Sequence, residues 1–460
     1  MPEIATQTIR INEVVDEQKF SRFNLGIMVL GWLATFADGY DISSAAYAAP
    51  ALVKEWHVDR AAFGVVFSAS LIAYFFGAPC LGWIADRFGR KKAIIFGCLG
   101  FGACSFASMA AANLTQLVWL RFLTGFCLAG LAPCVLAHAA EFSPKRIRAL
   151  MMMLSLSGIV IGGAAAGWSS AAFLARYGWQ SIFFVGGVLP VAAAVLIGFT
   201  LPESIKFMVL QGGRDEEVAR LARLLKPGIE IHPGANFVIE GEPKKIAFNP
   251  KMLFGGGLAI ITPLFWFVDV VNYMTTTFIN SWTPMIFQDA GMTPAHAAIT
   301  TSMYNLGGVF GGILVSTLLD RVGISGVCAM MTMGCVSVAA IGVSGLSDYA
   351  LMGIVAISGF LIQGSQFGIN AVPGLIYGTS IRANGLGWAT AIARAGSTLG
   401  PLVGAWLIAM HATHQQLFLA PVGPELAGAI CCFILIRLFY RRFQSHRLDE
   451  KPASKAGPPL

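Results

Sequence analysis

Two aspartates, Asp38 and Asp41, stand three residues apart in GWLATFADGYDISSAAYAAPAL, residues 31–52, a stretch that is otherwise largely apolar. On a helix that spacing puts both carboxylates on one face. Two acids held so close resist ionising together, whereas a nearby cation favours the charged forms, and that competition is the chemistry of a proton switch. A cation is available in Arg121, which falls inside another apolar run, 115–138. The helical rise places the two acids roughly 8 to 12 Å, and Arg121 about 9 Å, below the same face of a membrane. The plainer reading is a buried structural ion pair. Two acids for one arginine would nevertheless leave one proton to be placed.

A second buried base, Arg394, lies about ten residues into the run 384–409, roughly 15 Å deep by the same rise. Its planar guanidinium can hold a carboxylate by two parallel hydrogen bonds. Pairing with a fixed acid such as Asp269, or with backbone carbonyls, is the alternative. Of the acids, Asp38, Asp41 and Asp269 are expected to lie well inside apolar spans. Ionisable groups at such depth are costly and mark functional positions. The sequence offers no nucleophile triad, no metal-ligand set and no phosphate-cradling loop. Neither an enzyme nor a cofactor or metal is expected.

The elements that must position these groups are membrane helices. The chain is 56% hydrophobic and 12% charged, outside the range of ordinary soluble domains. Apolar runs near 24–47, 61–81, 93–112, 115–138, 150–173 and 181–200 each approach the length needed to cross a hydrocarbon core. Six more follow near 254–282, 296–319, 326–345, 348–370, 384–409 and 422–440. The predicted fold is therefore an all-α membrane protein of twelve transmembrane helices in two six-helix halves. The runs lack the period-2 alternation of a β-barrel. Nine cysteines, all in or beside apolar runs without C-x-x-C spacing, read as small core hydrophobes.

Lys and Arg concentrate in the amino-terminal segment, alternate loops and the tail, with Lys54, Arg60 and Arg176 on the other side. By the positive-inside rule both termini are expected in the cytoplasm, with no secretory signal. The net charge of +7 is thus a topology signal and does not call for nucleic acid. The predicted organisation is a cytoplasmic segment 1–22, a bundle 23–201, a central loop 202–252 with one or two short amphipathic helices, a bundle 253–441 and a tail 442–460.

An internal repeat supports that division. GWIADRFGRKK at 82–92 and STLLDRVGIS at 316–325 both carry D-R-x-G between two closely joined spans. Gly89 and Gly323 would supply positive φ for the turns. Asp86 and Asp320 are expected to face neighbouring helix ends while Arg87, Arg90 and Arg321 pair across the loops, a network able to latch one conformational state.

Gly82 to Lys91 resembles the loop signature of the major facilitator superfamily, and the resemblance extends over roughly residues 20–445. The second copy has Ser316 where the first glycine would stand. D-G-Y-D in the first span with Pro50 downstream, and RANGLGWATAIARAGSTLGP at 382–401, resemble the aromatic acid:proton symporters of that superfamily. The resemblance implies proton-coupled uptake of a small aromatic carboxylate such as 4-hydroxybenzoate, protocatechuate or benzoate across a bacterial inner membrane. Another organic anion, such as muconate, gallate or a non-aromatic acid, is the alternative.

Asp38, Asp41, Arg121 and Glu141 form the expected proton-coupling group, Glu141 standing at an inner helix end where cytoplasmic ion pairing is the plainer role. Arg394, Asp41, Tyr304, Asn305, Gln363 and Trp282 form the expected substrate group, supplying a charge anchor, aromatic walls and partners for ring hydroxyls. Asn and Gln can also simply join helices. His138 reads as a hydrogen-bonded core residue. The expected partners are the aromatic carboxylate, protons and the bilayer, with no nucleic acid, for a monomer.

Overall fold

The computed structural model describes residues 7–232, 234–239, 250–255, 258–343, 346–377 and 381–443. A short strand, β1 (Thr8–Arg10), leads into α1 (Ile11–Glu17). Seven helices follow: α2 (Arg22–Trp56), α3 (Phe63–Phe88), α4 (Arg90–Ser108), α5 (Leu114–Leu128), α6 (Leu131–Glu141), α7 (Arg148–Tyr177) and α8 (Gln180–Thr200). The central segment holds α9 (Ile205–Gln211), α10 (Asp215–Leu225) and strand β2 (Asn236–Val238). Then come α11 (Ile261–Asp289), α12 (Pro294–Val322), α13 (Ile324–Ile341), α14 (Asp348–Ser358), α15 (Gly364–Ala371), α16 (Pro373–Ile376), α17 (Arg382–Ala409), α18 (His414–Leu419) and α19 (Val422–Phe443).

Ten helical stretches are long and apolar enough to cross a membrane, counting α5 with α6, α14 with α15 and α18 with α19 as single spans. Two more helices, α4 and α11, complete the twelve predicted spans among the described residues; they are 19 and 29 residues long. Basic residues at the start of α4, and threonines, Asn272 and Asp269 in α11, lower their hydropathy.

Local chemistry sets the boundaries. The Asn113 side chain accepts from Gln116 N at 2.9 Å and starts α5, while Thr293 caps α12 with proline in its first turn. Both D-R-x-G copies end one helix and start the next on a left-handed glycine, Gly89 at φ +103° and Gly323 at φ +64°. Between α14 and α15 the chain widens into a π turn, Gly359–Gln363.

By internal contacts the chain forms two units. The first comprises Met1–Ser44, Ala69–Ala166 and Trp179–Ile246. Its core includes Cys98, Phe101, Leu128, Leu131, Ile205 and Ala222. Here α2 lies directly on α7: a Cβ at Gly39 would meet the Ile159 backbone, and one at Gly162 the Phe36 carbonyl. Gly39 is the glycine of D-G-Y-D, so the motif packs one face on α7 and leaves its acids for the other.

The sequence did not foretell how the amino-terminal segment is held. β1 pairs in parallel with β2, Thr8 opposite Asn236 and Arg10 opposite Val238. Lys226 Nζ meets Glu17 at 2.5 Å, and Asp16 pairs with Lys145 at 2.8 Å and Arg148 at 3.1 Å. The expected amphipathic helices of the central loop are α9 and α10, and α10 buries Val218, Leu221, Ala222 and Leu225.

The second unit comprises Ala45–Ser68, Gly167–Gly178 and Ala247–Leu460. Its core includes Phe265, Val327, Met331, Ile369, Ala429 and Leu435. Within it Arg60 pairs with Asp289 at 2.5 Å, and the Phe67 ring meets Trp282 edge-on at 5.2 Å.

Candidate functional site

In the first unit, α2 carries Asp38 and Asp41 onto one buried face, 2% and 0% exposed, opposite Arg121 of α5 at 2%. Arg121 Nη1 donates to Asp41 Oδ1 at 3.0 Å and Nη2 to Oδ2 at 2.9 Å. Nη2 also donates to the Asp41 carbonyl at 3.0 Å. Ser105 Oγ of α4 adds a bond to Asp41 Oδ1 at 2.9 Å. Asp38 turns instead toward α3, where Tyr74 OH donates to its Oδ1 at 3.2 Å. The structure thus brings Asp41 and Arg121 together and gives Asp38 a hydroxyl partner. Tyr74 and Ser105 were not singled out from the sequence, since nothing in their helices marks which face they occupy.

The arrangement combines two different carboxyl environments one turn apart. Asp41 faces a cation that meets it at two points. Asp38 faces a neutral hydroxyl, which can donate to a carboxylate or accept from an acid.

At the loop between α3 and α4, Arg90 pairs with Glu141 at the end of α6, and Ser204 Oγ donates to the same carboxylate. Glu203 Oε1 accepts from Lys91 N at 3.0 Å and Ser204 N at 2.9 Å. Glu203 fills the space a Cβ at Gly89 would need. Arg87 lies over the Trp83 and Phe88 rings, 5.8 and 5.9 Å from their centroids. Asp86 and Arg321 are exposed. Gly82 sits within α3 with nothing near its absent Cβ. The Asp320 side chain lies outside the described residues. Glu141 is therefore held in an ion pair, 6% exposed. His138 is buried, with Nε2 at 2.9 Å from the Pro202 carbonyl.

In the second unit, Arg394 of α17 is half-buried. Tyr273 of α11 is within electrostatic range of both Arg394 and Asp269, and Asn370 Nδ2 reaches the Tyr273 hydroxyl at 3.4 Å. The structure joins Asn305 to two amides: its Nδ2 donates to Asn280 Oδ1 at 3.0 Å, and its Oδ1 accepts from Gln363 Nε2 at 3.4 Å. The π turn ends at Gln363. Tyr304 is fully buried, its hydroxyl 3.5 Å from Thr276 Oγ1. Trp282 belongs to other packing, donating Nε1–H to the Pro401 carbonyl at 3.1 Å.

The expectation that three acids lie deep in spans needs one correction. Glu425, in the first turn of α19, is 1% exposed and hydrogen-bonded to Asn272. Its place inside the run 422–440 was the available signal.

The model of the Major Facilitator Superfamily matches residues 31–268 and 265–459. The chain is 31% identical to the 4-hydroxybenzoate transporter PcaK of Pseudomonas putida, covering 92% of this chain and 95% of that one. It is 30% identical to a gallate transporter of Pseudomonas putida, over 92% and 94% of the two chains. It is also 30% identical to the benzoate transport protein of Acinetobacter baylyi, over 94% and 93%. Among solved structures it resembles a D-xylose-proton symporter, with TM-score 0.63 and 16% identity over 89% of this chain and 97% of that one. The nucleoside transporter NupG gives TM-score 0.64 and 15% identity over 91% and 100%. Matched along nearly its whole length by that family model and by these transporters, the chain belongs to the major facilitator superfamily and is a membrane transporter, not an enzyme.

Proposed function

We propose that the chain takes up a small aromatic carboxylate, of the 4-hydroxybenzoate, protocatechuate or benzoate kind, together with protons. Uptake crosses the bacterial inner membrane by alternating access of the halves 23–201 and 253–441, in a monomer with both termini cytoplasmic. The observation that carries this reading is a set of deep charges in a chain 31% identical to a 4-hydroxybenzoate transporter. Asp41 with Arg121, and Asp38 beside Tyr74, supply groups able to take up and release a proton. Arg394 is the proposed anchor for the substrate carboxylate, with Tyr273, Tyr304 and the Asn280–Asn305–Gln363 chain offered to the ring and its hydroxyls. Glu141 and Arg90, with Asp86 and Arg87, form the proposed gating loop.

The test is uptake by cells expressing the chain, with labelled benzoate, 4-hydroxybenzoate, protocatechuate, gallate and muconate, before and after a protonophore. Accumulation of a ring acid that collapses with the proton gradient is expected. Uptake of none of the acids would remove the substrate class, and accumulation indifferent to the protonophore would remove proton coupling.

A further inference from the structure

The second unit holds a carboxyl group with an incomplete set of hydrogen bonds. Glu425 Oε1 accepts from Asn272 Nδ2 at 3.2 Å. Among the described residues its other oxygen, Oε2, has no hydrogen-bond partner, and the same is true of Asn272 Oδ1. Asn272 and Thr275 are both 0% exposed on α11, and the Thr275 side chain faces the same carboxyl group. Buried polar atoms are nearly always satisfied, so two together point to hydrogen atoms whose positions follow from the protonation state.

The Asn272 amide has one sensible orientation. Nδ2 also lies 3.3 Å from the Ile362 carbonyl and 3.1 Å from Ser365 Oγ. The Ser365 hydroxyl hydrogen is committed to that same carbonyl at 2.7 Å, so its oxygen accepts from Asn272. Turning the amide over would set Oδ1 against two acceptors. Oδ1 therefore keeps this orientation, able only to accept. An ionised Glu425 is acceptor-only and leaves it unsatisfied. A neutral Glu425 carries one O–H donor.

The surroundings point the same way. Facing groups on the neighbouring helices are Asn272 and Thr275 of α11, Tyr304 of α12 and Cys335 of α13. Asp269 stands one turn before Asn272, and His414 of α18 is exposed near Asp289. None of these is a buried cation. The first turn of α19 favours an anion, but a helix terminus offsets only a small part of the cost of burying an unpaired ion.

We propose that Glu425 and Asn272 form a proton-binding site in the second unit, separate from Asp38 and Asp41. The bound proton sits on Oε2 and is donated to Asn272 Oδ1, while Asn272 Nδ2–H is donated to Oε1, closing an acid–amide ring. On the proton-coupled reading above, this site is a second carrier of the coupling ion; its occupancy does not depend on that reading.

Infrared spectroscopy of the purified chain in lipid at neutral pH tests the assignment. The unmodified chain should show a protonated-carboxyl C=O band, shifted in heavy water, that is missing from Glu425→Gln and moved in Glu425→Asp. The glutamine side chain can keep both bonds of the ring, and substituted chains of unchanged melting temperature are the ones compared. Identical carboxyl bands with and without Glu425 would overturn the proposal. So would a band that disappears when sodium replaces choline, since the same oxygens would then be holding a metal cation. If the unmodified chain showed the Glu425 band yet no gradient-driven uptake, the proposed function would fall and the proton site would stand.

Discussion

Arg121 forks onto both carboxylate oxygens of Asp41, at 3.0 and 2.9 Å, with both side chains excluded from solvent. Breaking one side of such a pair strands a buried charge, which costs about 3–5 kcal/mol. Asp41→Asn should therefore lower the melting temperature of the purified chain as well as abolish gradient-driven accumulation. Adding Arg121→Gln removes the stranded charge and should recover most of the stability without recovering accumulation. A double variant that still accumulates substrate would make this pair structural only.

Asp38 tests the other carboxyl separately. Asp38→Asn keeps an acceptor for the Tyr74 hydroxyl, so the bond at 3.2 Å can persist, and stability should change by about 1 kcal/mol or less. Both accumulation and exchange of labelled for unlabelled substrate should nevertheless fall, because the side chain can no longer bind and release a proton. Normal exchange and normal accumulation in this variant would move proton coupling elsewhere.

The loop between α3 and α4, proposed as a gating element, gives a contrast between two positions. Arg90 and Glu141 are already paired, whereas Asp86 is exposed. Glu141→Gln keeps an acceptor for Ser204 but weakens the ion pair and should reduce thermal stability. Asp86→Asn should leave stability unchanged and slow transport, as expected of a residue engaged in another conformational state. Transport at the normal rate in Asp86→Asn, measured with equal expression, would reduce Asp86 to a topology marker.

What could be read from the sequence was whatever broke an apolar background. Asp38, Asp41, Arg121 and Arg394 stand out because charge inside a span is rare and expensive, and their spacing alone put two of them on one face. Gly89 and Gly323 stood out because repeated D-R-x-G demanded two turns. Partner choice was not legible. Nothing in Glu141 or Arg90 separately says that they meet, and the link from Asn280 through Asn305 to Gln363 joins three separate elements. Glu425 stands in the first turn of α19, where an acid reads as an ordinary end charge. Only the burial beneath Asn272 distinguishes it. β1 and β2, three residues each, are too short for periodicity to reveal.

Arg394 carries the sharpest statement about substrate. A guanidinium offers two coplanar N–H donors to a carboxylate, whereas lysine keeps the charge on a single point. Arg394→Lys should therefore bind the substrate more weakly by the worth of a charge-assisted hydrogen bond, about 1.5 to 3 kcal/mol, or roughly 10- to 150-fold in affinity. The loss should appear in KM for uptake and in equilibrium binding to the purified chain. Arg394→Gln, lacking the charge as well, should lose more. An Arg394→Lys chain with unaltered affinity would place the carboxylate against another cation. Arg121 is the candidate, and reaching it would require Asp41 to give up its fork.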